Sequence, residues 1–506
     1  MKKMNRHALF LFLATASLVV ALAEKPNILV ILVDDMGYGD AGCFNPNSKI
    51  ATPYIDTLAA EGMMFRDAHA PGPLCHMSRY GLMTGMYPFR TDVTVWPTTP
   101  LIKEGQMTIA SLLKSQGYYT AMVGKWHLGF EETGYENPLP GGPVDRGFDS
   151  YFGIRASTDI PPYFYIRGDK AVQPPTNYIE AVSSEGWTSI QGEFSRAGGI
   201  SPDLTLEGVL PRFSDEAIKV IEDQAKGRAL GDKPLMLYLA YPAPHTPWLP
   251  SEEFVSKSGA SMYGDFMMMV DDEIGRVLKA LEKEGMKENT LVIFTSDNGP
   301  VWYDQDVERL GHDSAGGLRG MKSDAWEGGH RVPFIVRWPD KTPAGSLSDQ
   351  LVSNVDLLAT MAALTGQKLE EDEGPDSFNI LPALIGNPKK QIRHYLVLSP
   401  LHKTNLTIRK GKWVYIDGQG SGGFSGKLET DYERGGPGAH LLTKHVNSDI
   451  ENGKLKADAP PAQLYDLEAD LSQTTNLYHT HPEIVQQMKA LLQKSINAPR
   501  TAPDRN

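Results

Sequence analysis

The stretch Asn27-Ile-Leu-Val-Ile-Leu-Val-Asp34-Asp35 decides the fold of this chain. Its run of apolar residues is short, continuous and rich in β-branched side chains, which is typical of a strand buried on both faces. Two acidic residues follow directly, so they are expected at the carboxyl end of that strand. A strand of this kind predicts a parallel sheet covered by helices on both sides.

The same pattern, an apolar run followed by polar residues, occurs twice more along the chain. Leu235 to Tyr241 is an apolar run followed by Pro-Ala-Pro-His245, and Leu291 to Ser296 is followed by Asp297-Asn298-Gly299. Segments with a helical period lie between these strands, among them residues 109–113 and 266–281. This alternation predicts an α/β fold with a mostly parallel sheet flanked by helices. In such sheets ligands bind beyond the carboxyl ends of the strands, where residues distant in sequence converge.

Composition sets limits on the function. The 506 residues are 41% hydrophobic and 22% charged, which excludes a disordered chain and a membrane protein with many spans. The 49 basic and 62 acidic residues give a net charge of −13, which disfavours a nucleic-acid partner. Cys43 and Cys75 allow at most one disulfide and exclude a multi-cysteine zinc site.

Changes in residue composition along the chain indicate its domain organisation. Residues 1–23 have a basic start, an apolar run and a small-residue end at Ala21-Leu-Ala23, which indicates a cleaved signal peptide, an exported protein and no membrane attachment after cleavage. Residues 24–390 are predicted to form the catalytic domain. Residues 391–506 contain short β-like stretches, a glycine-rich loop and a final helical run at 482–496, which predict a smaller α+β domain.

The acidic and amide side chains after the strands suggest a metal site. Asp34, Asp35, Asp297 and Asn298 offer the oxygen ligands that a hard divalent cation prefers. Calcium is the leading candidate and magnesium the second. Each motif taken alone is more often a turn or a solvated cap, so the prediction depends on their shared position after buried strands.

Residues 73–85 (PLCHMSRYGLMTG) add a thiol and an arginine in one helix-compatible stretch. This segment resembles the signature of type I sulfatases, Cys-x-Pro-x-Arg followed by a Leu-Thr-Gly run. Further motifs in the order of that family extend the resemblance over nearly the whole chain after residue 25: PNILVILVDDMGYGD at 26–40, GKWHLG at 124–129, PAPHTP at 242–247, TSDNG at 295–299 and GGLRGMKSDAWEGGHRVP at 316–333. The resemblance implies an alkaline-phosphatase-like core and sulfate ester hydrolysis.

The resemblance also assigns roles to matching residues. A maturation enzyme would convert Cys75 to formylglycine (3-oxoalanine), and this residue would join the calcium ligands Asp34, Asp35, Asp297 and Asn298. The implied catalytic residues are Cys75, Arg79, Lys125, His127, His245 and Lys322. Ser157, Lys125, His245 and Lys322 are implied to bind substrate, with His245 and Lys322 close to the leaving group. The hydrated aldehyde would attack sulfur.

The substrate class implied is an aryl sulfate or, more specifically, a sulfated carbohydrate. Loops between the motifs would set specificity, and we select His312 and Arg319 as further substrate-binding candidates. Other loop candidates are Arg155, Asp159, Tyr163, Arg167 and residues 415–438.

Two alternatives remain open at this stage. The first is a phosphoric or phosphonic ester hydrolase of the same superfamily. Its substrate is also a tetrahedral anion whose charge the site must neutralise, but such enzymes commonly use two metal ions. Met77 stands where the family signature has proline. If this residue prevents conversion of Cys75, the chain would bind sulfated glycans without hydrolysing them.

Overall fold

The computed structural model describes residues 25–93, 98–188, 190–227, 233–386, 388–401, 403–423, 447–451 and 454–504. The predicted signal peptide, residues 1–23, and most of the 415–438 stretch lie outside these ranges. Within them, no helix combines the length and the apolar character needed to cross a membrane.

The strands and helices alternate through the first two thirds of the chain. In chain order, the described strands are β1 (Asn27–Asp34), β2 (Met63–Phe65), β3 (Ala68–His69), β4 (Tyr119–Lys125), β5 (Ser150–Ile154), β6 (Ile166–Arg167), β7 (Lys170–Ala171), β8 (Asn177–Ile179), β9 (Gly198–Ile200), β10 (Leu235–Pro244), β11 (Thr290–Ser296), β12 (Phe334–Arg337), β13 (Ser346–Ser348), β14 (Val352–Ser353), β15 (Leu396–Leu398), β16 (Thr407–Lys410), β17 (Trp413–Ile416), β18 (Ile450–Glu451), β19 (Lys454–Leu455) and β20 (Gln463–Asp466). The described α-helices are α1 (Pro53–Ala60), α2 (Cys75–Thr84), α3 (Ile109–Ser115), α4 (Val209–Ala225), α5 (Ser261–Lys283), α6 (Asp304–Leu310), α7 (Glu327–His330), α8 (Leu357–Thr365), α9 (Leu381–Leu384) and α10 (Pro482–Asn497). Short 3₁₀ helices cover Pro88–Arg90, Pro143–Arg146, Lys287–Asn289, Asn354–Asp356 and Lys403–Asn405.

The large sheet has ten strands in the order β13-β2-β12-β11-β1-β10-β4-β5-β6-β7. Its five central strands, β11 to β5 in this order, are mutually parallel. Strands β12, β6 and β7 add antiparallel pairs towards the two edges. The predicted mostly parallel α/β architecture is therefore confirmed.

Strand β1 shows why its sequence is continuously apolar. Ile28, Val30 and Leu32 enter one hydrophobic core, which includes residues of α2, α3, α8 and α9. Leu29, Ile31 and Val33 enter a second core on the opposite face, with residues of α1, α4 and α5. Because successive side chains of a strand point to opposite faces, both sets have to be apolar when helices cover both sides.

A smaller antiparallel sheet follows, with strand order β15-β16-β17-β20. Helix α10 packs on it through Val485, Met488 and Leu492. This arrangement confirms the small C-terminal α+β unit. Its first strand begins at Leu396, while the exact boundary at residue 390 stays a prediction.

Candidate functional site

The carboxyl ends of the parallel strands bring the sequence motifs to one edge of the sheet. Asp34 ends β1, Lys125 ends β4, and His245 follows β10 directly. Asp297 and Asn298 follow β11. Cys75 is the first residue of α2, and Arg79 lies one turn further along the same helix. Residues spread over more than 260 positions therefore meet in one place.

Cys75 lies against the two carboxylates of the Asp34-Asp35 pair. Its Sγ atom is 3.3 Å from Asp34 Oδ1 and 4.0 Å from Asp35 Oδ1. Ligand atoms of Asp34, Asp35, Cys75 and His245 all lie within 4.8 Å of one another. Burial and the neighbouring Asp34 raise the pKa of the Cys75 thiol well above its ordinary value. This environment is the opposite of one that activates a cysteine as a thiolate nucleophile.

Three cations neutralise the buried carboxylates. Lys125 hydrogen-bonds to Asp34 Oδ2, and Lys322 Nζ lies 2.8 Å from Asp35 Oδ2. Arg79 donates through Nε to Asp297 Oδ2 at 2.9 Å. Burial alone would raise the pKa of Asp34, but Lys125, together with further cationic neighbours, outweighs it and holds that pKa well below its usual range.

Asp297 has the contrasting environment. Burial, together with the negative charge of Asp34, raises its pKa to about 7 in spite of Arg79. A cation bound between these carboxylates would remove the repulsion that causes this shift.

The backbone adopts the left-handed region at two positions of the site. Asp35 has a φ of 65° and His127 a φ of 58°, a region that residues other than glycine adopt uncommonly, although Asp and His do so more often than most. Asp35 is held by its N–H, which donates to Asp297 Oδ1 at 3.3 Å, and Met36 N–H donates to Ser296 Oγ at 3.1 Å. Strain that the surroundings maintain in this way is often found at functional sites.

A pocket opens above this charged base. Its polar lining residues are Asp35, Cys75, His76, His127, Ser157, Asp159, His245, Thr246 and Lys322. Its apolar walls include Leu74, Ile160, Ile190, Trp248 and Val301. The Ser157 hydroxyl is buried and has no hydrogen-bond partner among the described residues, so it is available to a ligand in the pocket. Asp34, Arg79, Lys125, Asp297 and Asn298 lie beneath this lining.

His245 is oriented by its own backbone surroundings. Its Nδ1 atom lies 2.6 Å from the carbonyl oxygen of Thr246, to which it donates. Its Nε2 atom is 3.7 Å from Asp35 Oδ2. The hydrogen bond at Nδ1 fixes the ring and leaves Nε2 to act towards the pocket.

His312 and Arg319 are not brought to this pocket. His312 Nε2 is 2.9 Å from Asp40 Oδ1, and its Nδ1 faces the backbone N–H of Lys49 at 3.4 Å. Arg319 is buried and stacks on Trp326, with 4.1 Å between its guanidinium carbon and the ring centroid. Neither side chain lines the pocket, although Asp40, the partner of His312, also accepts a hydrogen bond from the lining residue Tyr263. Their predicted role in substrate binding therefore gains no support from this geometry.

The remaining loop candidates fall into two groups, one that lines the pocket and one that does not. Asp159 lines the pocket and forms an ion pair with Arg196. Three others make protein contacts: Arg155 with Glu132, Tyr163 with the carbonyl of Arg196, and Arg167 with Glu216.

Sequence reasoning missed His76, Thr246, Ile190 and Trp248, which all line the pocket. Three of them had a usable signal, since His76 follows Cys75, Thr246 follows His245 and Trp248 follows the motif at 242–247 directly in the chain. Ile190 lies in a loop without a recognisable pattern.

Comparison with known proteins agrees with this arrangement. The sequence model of the Sulfatase family matches residues 26–367. An N-acetylgalactosamine-6-O-sulfatase of Bacteroides thetaiotaomicron is 34% identical over 507 aligned positions, covering 93% of each chain. Human arylsulfatase A is 32% identical, with 93% of this chain and 88% of the human protein covered.

Solved structures agree as well. A sulfatase from the metabolism of multiple glycosaminoglycans by Bacteroides thetaiotaomicron superposes with a TM-score of 0.78 at 32% identity, covering 94% of this chain and all of the other. Ps i-CgsB in complex with k-i-k-neocarrahexaose superposes with a TM-score of 0.66 at 26% identity, covering 94% and 93% of the two chains. From these matches and the site described above, the chain belongs to the sulfatase family and is a sulfuric ester hydrolase.

Proposed function

We propose that this sulfatase acts on sulfated carbohydrate, that it uses calcium, and that Cys75 is converted to formylglycine. The observation that carries the proposal is the convergence of Cys75 with Asp34, Asp35, Lys322 and His245 at the base of one pocket.

The donor set fits a hard divalent cation. Carboxylate oxygens of Asp34, Asp35 and Asp297 converge here, and Asn298 Oδ1 is buried without a hydrogen-bond partner among the described residues. The amide nitrogen of Asn298 is already used, since it donates to Asp35 Oδ1 at 2.6 Å and to the carbonyl of Gly299 at 2.8 Å. Oxygen ligands of this kind are preferred by calcium and then magnesium. When bound, calcium would stabilise the negative charge of the sulfate oxygens and of the attacking group.

The high pKa of the Cys75 thiol argues against the unmodified thiol as the nucleophile. A buried thiol next to Asp34 is a poor nucleophile. Formylglycine, in its hydrated form, would supply one hydroxyl that attacks sulfur and a second that allows sulfate to be released. The position at the first residue of α2 adds the positive end of a helix dipole, which favours an anionic substrate.

The residues around Cys75 supply the rest of the chemistry. Lys125, Lys322 and Arg79 carry the positive charge that offsets the buried carboxylates and that would attract the sulfate group. His245, with its ring held at Nδ1, is the side chain we assign to proton donation at the bridging oxygen. His127 and Ser157 line the same pocket and are assigned to sulfate orientation.

The carbohydrate assignment rests on the relatives. The names of two of them refer to N-acetylgalactosamine sulfate and to glycosaminoglycan metabolism, and a third was solved with an oligosaccharide. Trp248 and the apolar wall can pack against the face of a sugar ring. An aryl sulfate would use the same wall. Export of the chain is proposed from the pattern of residues 1–23 alone.

The phosphoric ester alternative is disfavoured by the ion pairs. Lys125 and Lys322 occupy the positions next to Asp34 and Asp35 where a second metal would need ligands. Two cationic side chains there neutralise an anion without a second ion.

A substrate comparison tests the proposal. Sulfate release would be measured on sulfated monosaccharides and short glycosaminoglycan fragments, with aryl sulfate and aryl phosphate alongside, for the wild type and the Cys75→Ala variant. We expect release from at least one sulfated sugar, little release of phosphate, and none by the variant. Equal rates on aryl sulfate and aryl phosphate, or turnover by Cys75→Ala, would contradict it.

A further inference from the structure

A second cluster of metal-ligating side chains lies away from the pocket. His69 belongs to β3, and Glu327 and His330 are the first and last residues of α7. All three are fully buried, and one ligand atom of each lies within 4.8 Å of those of the other two. The residues of the sulfatase pocket do not include them.

The two imidazole rings are each anchored at the nitrogen remote from the cluster. His69 Nε2 lies 2.9 Å from Asp67 Oδ1, and His330 Nε2 lies 3.2 Å from the carbonyl oxygen of Ala325. When each Nε2 donates to its oxygen, both Nδ1 atoms carry lone pairs. These two atoms face each other at 3.0 Å, and either a proton on one of them or a metal ion bound by both would remove the repulsion of their lone pairs.

Glu327 supplies a third ligand. One carboxylate oxygen, Oε2, accepts from Arg331 Nε at 2.7 Å. The other oxygen, Oε1, is buried and has no hydrogen-bond partner among the described residues. A buried carboxylate oxygen without a partner is costly, and a bound cation would satisfy it.

We propose that His69, His330 and Glu327 form a binding site for a divalent transition-metal ion, with zinc as the preferred occupant. Two histidines and one carboxylate are a common zinc donor set. Two nitrogens that share a tetrahedral zinc at the usual bond length lie about 3.3 Å apart, so the observed spacing needs only a small adjustment. The partners of the remote nitrogens, Asp67 and the Ala325 carbonyl, match the outer hydrogen bonds of metal-bound histidines.

The place of the site in the fold suggests a structural role. Strand β3 and helix α7 belong to the large domain, whereas Arg409 belongs to β16 of the C-terminal sheet. Arg409 forms an ion pair with Asp67, and Asp67 contacts His69. An ion at the cluster would therefore stabilise the junction between the two sheets.

A metal-free arrangement competes with this proposal. Arg409 Nη1 lies 2.8 Å from His69 Nε2, so Arg409 could donate to that nitrogen while His69 Nδ1–H donates to His330. This arrangement leaves Asp67 Oδ1 facing a lone pair at 2.9 Å and leaves Glu327 Oε1 without a partner, whereas a proton on His69 Nε2 lies instead against the N–H of Arg409 Nη1. Metal analysis distinguishes the two.

The experiment uses the full chain, purified without a polyhistidine tag, treated with a chelator and returned to excess calcium so that hard-cation sites are filled. Zinc is then added, unbound zinc is removed by desalting, and retained zinc and the melting temperature are measured. We expect one zinc per chain and a higher melting temperature. In Glu327→Gln and His330→Asn, zinc affinity should fall by about tenfold or more, while the exposed-site control His479→Asn should behave as wild type.

Cobalt gives a readout that is independent of activity. Cobalt in place of zinc should produce the visible absorption of a tetrahedral site in the wild type. Absence of retained zinc in the wild type, with an unchanged melting temperature, would overturn the proposal even if a variant fails to fold. Retention of zinc by both variants as tightly as by the wild type would also overturn it. Neither result bears on sulfate release, so the proposed function is tested separately.

Discussion

The ammonium nitrogen of Lys322 lies 2.8 Å from Asp35 Oδ2, although the two residues are 287 positions apart in the chain. Both side chains are buried; burial alone would lower the pKa of Lys322, but Asp35 together with the neighbouring Cys75 and Asp34 outweighs it and raises that pKa. Lys322 therefore stays protonated across the physiological range. This contact holds a cation at the edge of the pocket.

Replacing Lys322 should remove activity and also reduce stability. We expect Lys322→Ala to lower kcat by about 10²- to 10³-fold, because a charge aimed at the developing anion is lost. The variant also leaves Asp35 buried without its partner, which costs about 3 to 5 kcal/mol in comparable cases. Steady-state kinetics and denaturant unfolding measure the two effects, with the exposed Lys489→Ala as the control.

The double variant Lys322→Ala/Asp35→Asn tests the stabilising role of Lys322. Removing both charges should restore much of the unfolding free energy when measured in the presence of a chelator, because no unpaired charge is then buried. Sulfate release is not the readout here, because Asp35 is itself a proposed calcium ligand and its loss alone would abolish activity. An unfolding free energy no higher than that of Lys322→Ala would contradict the stabilising role of this ion pair.

Removal of the divalent cation should abolish turnover and lower the melting temperature. Asp34, Asp35 and Asp297 would otherwise repel one another in a buried site. A ligand present at 100 times its dissociation constant stabilises the folded state by about 2.7 kcal/mol, which corresponds to a shift of several degrees. Calcium added alone should restore both properties. An unchanged rate after exhaustive chelation would contradict the calcium assignment.

The contribution of the sequence to the fold can be traced to individual strands. The apolar runs 27–33, 235–241 and 291–296 correspond to β1, β10 and β11, because strands buried on both faces leave a signal that needs no partner. Short edge strands such as β6 and β7 have two residues each and leave no such signal. Their formation depends on neighbours in the sheet.

The site was predictable where the motifs follow strands directly. His312 and Arg319 show the limit of this reasoning, because their contacts with Asp40 and Trp326 are set by the folded chain. In a loop, a histidine or an arginine looks the same in sequence whether it faces a ligand or a buried partner. The three-dimensional neighbours decide its role.

Asp271 gives a prediction about pH and stability. This buried residue of α5 accepts hydrogen bonds from the backbone N–H groups of Tyr54 and Ile55. Burial nevertheless raises its pKa from 3.8 to about 7. The folded state therefore holds this proton more tightly than the unfolded state, and ionisation destabilises the fold.

Stability attributable to Asp271 should thus be greatest below pH 3.8 and should fall as the pH rises to about 7. The expected loss is on the order of a few kcal/mol. Unfolding free energies of wild type and Asp271→Asn, measured from pH 4 to pH 8, should differ by an amount that changes over this window. A constant difference would show that Asp271 titrates at its ordinary pKa.

Met77 bears on whether Cys75 is converted. In the folded chain Met77 is buried in a small cluster with Leu74, and it is absent from the pocket lining. The folded site therefore accommodates methionine at this position, and any effect of Met77 would act on the proposed maturation step itself.

Mass spectrometry of the peptide that contains Cys75 measures this step directly. In protein co-expressed with a formylglycine-generating enzyme, we expect the aldehyde or its hydrate, and we expect sulfate release to scale with the converted fraction. Met77→Pro should convert at least as completely, and Cys75→Ala should lower release by about 10³-fold or more while keeping the melting temperature within a few degrees. Full activity in protein that contains only the unmodified thiol would refute the formylglycine mechanism, because the thiol carries no hydroxyl whose deprotonation could expel sulfate and re-form an aldehyde.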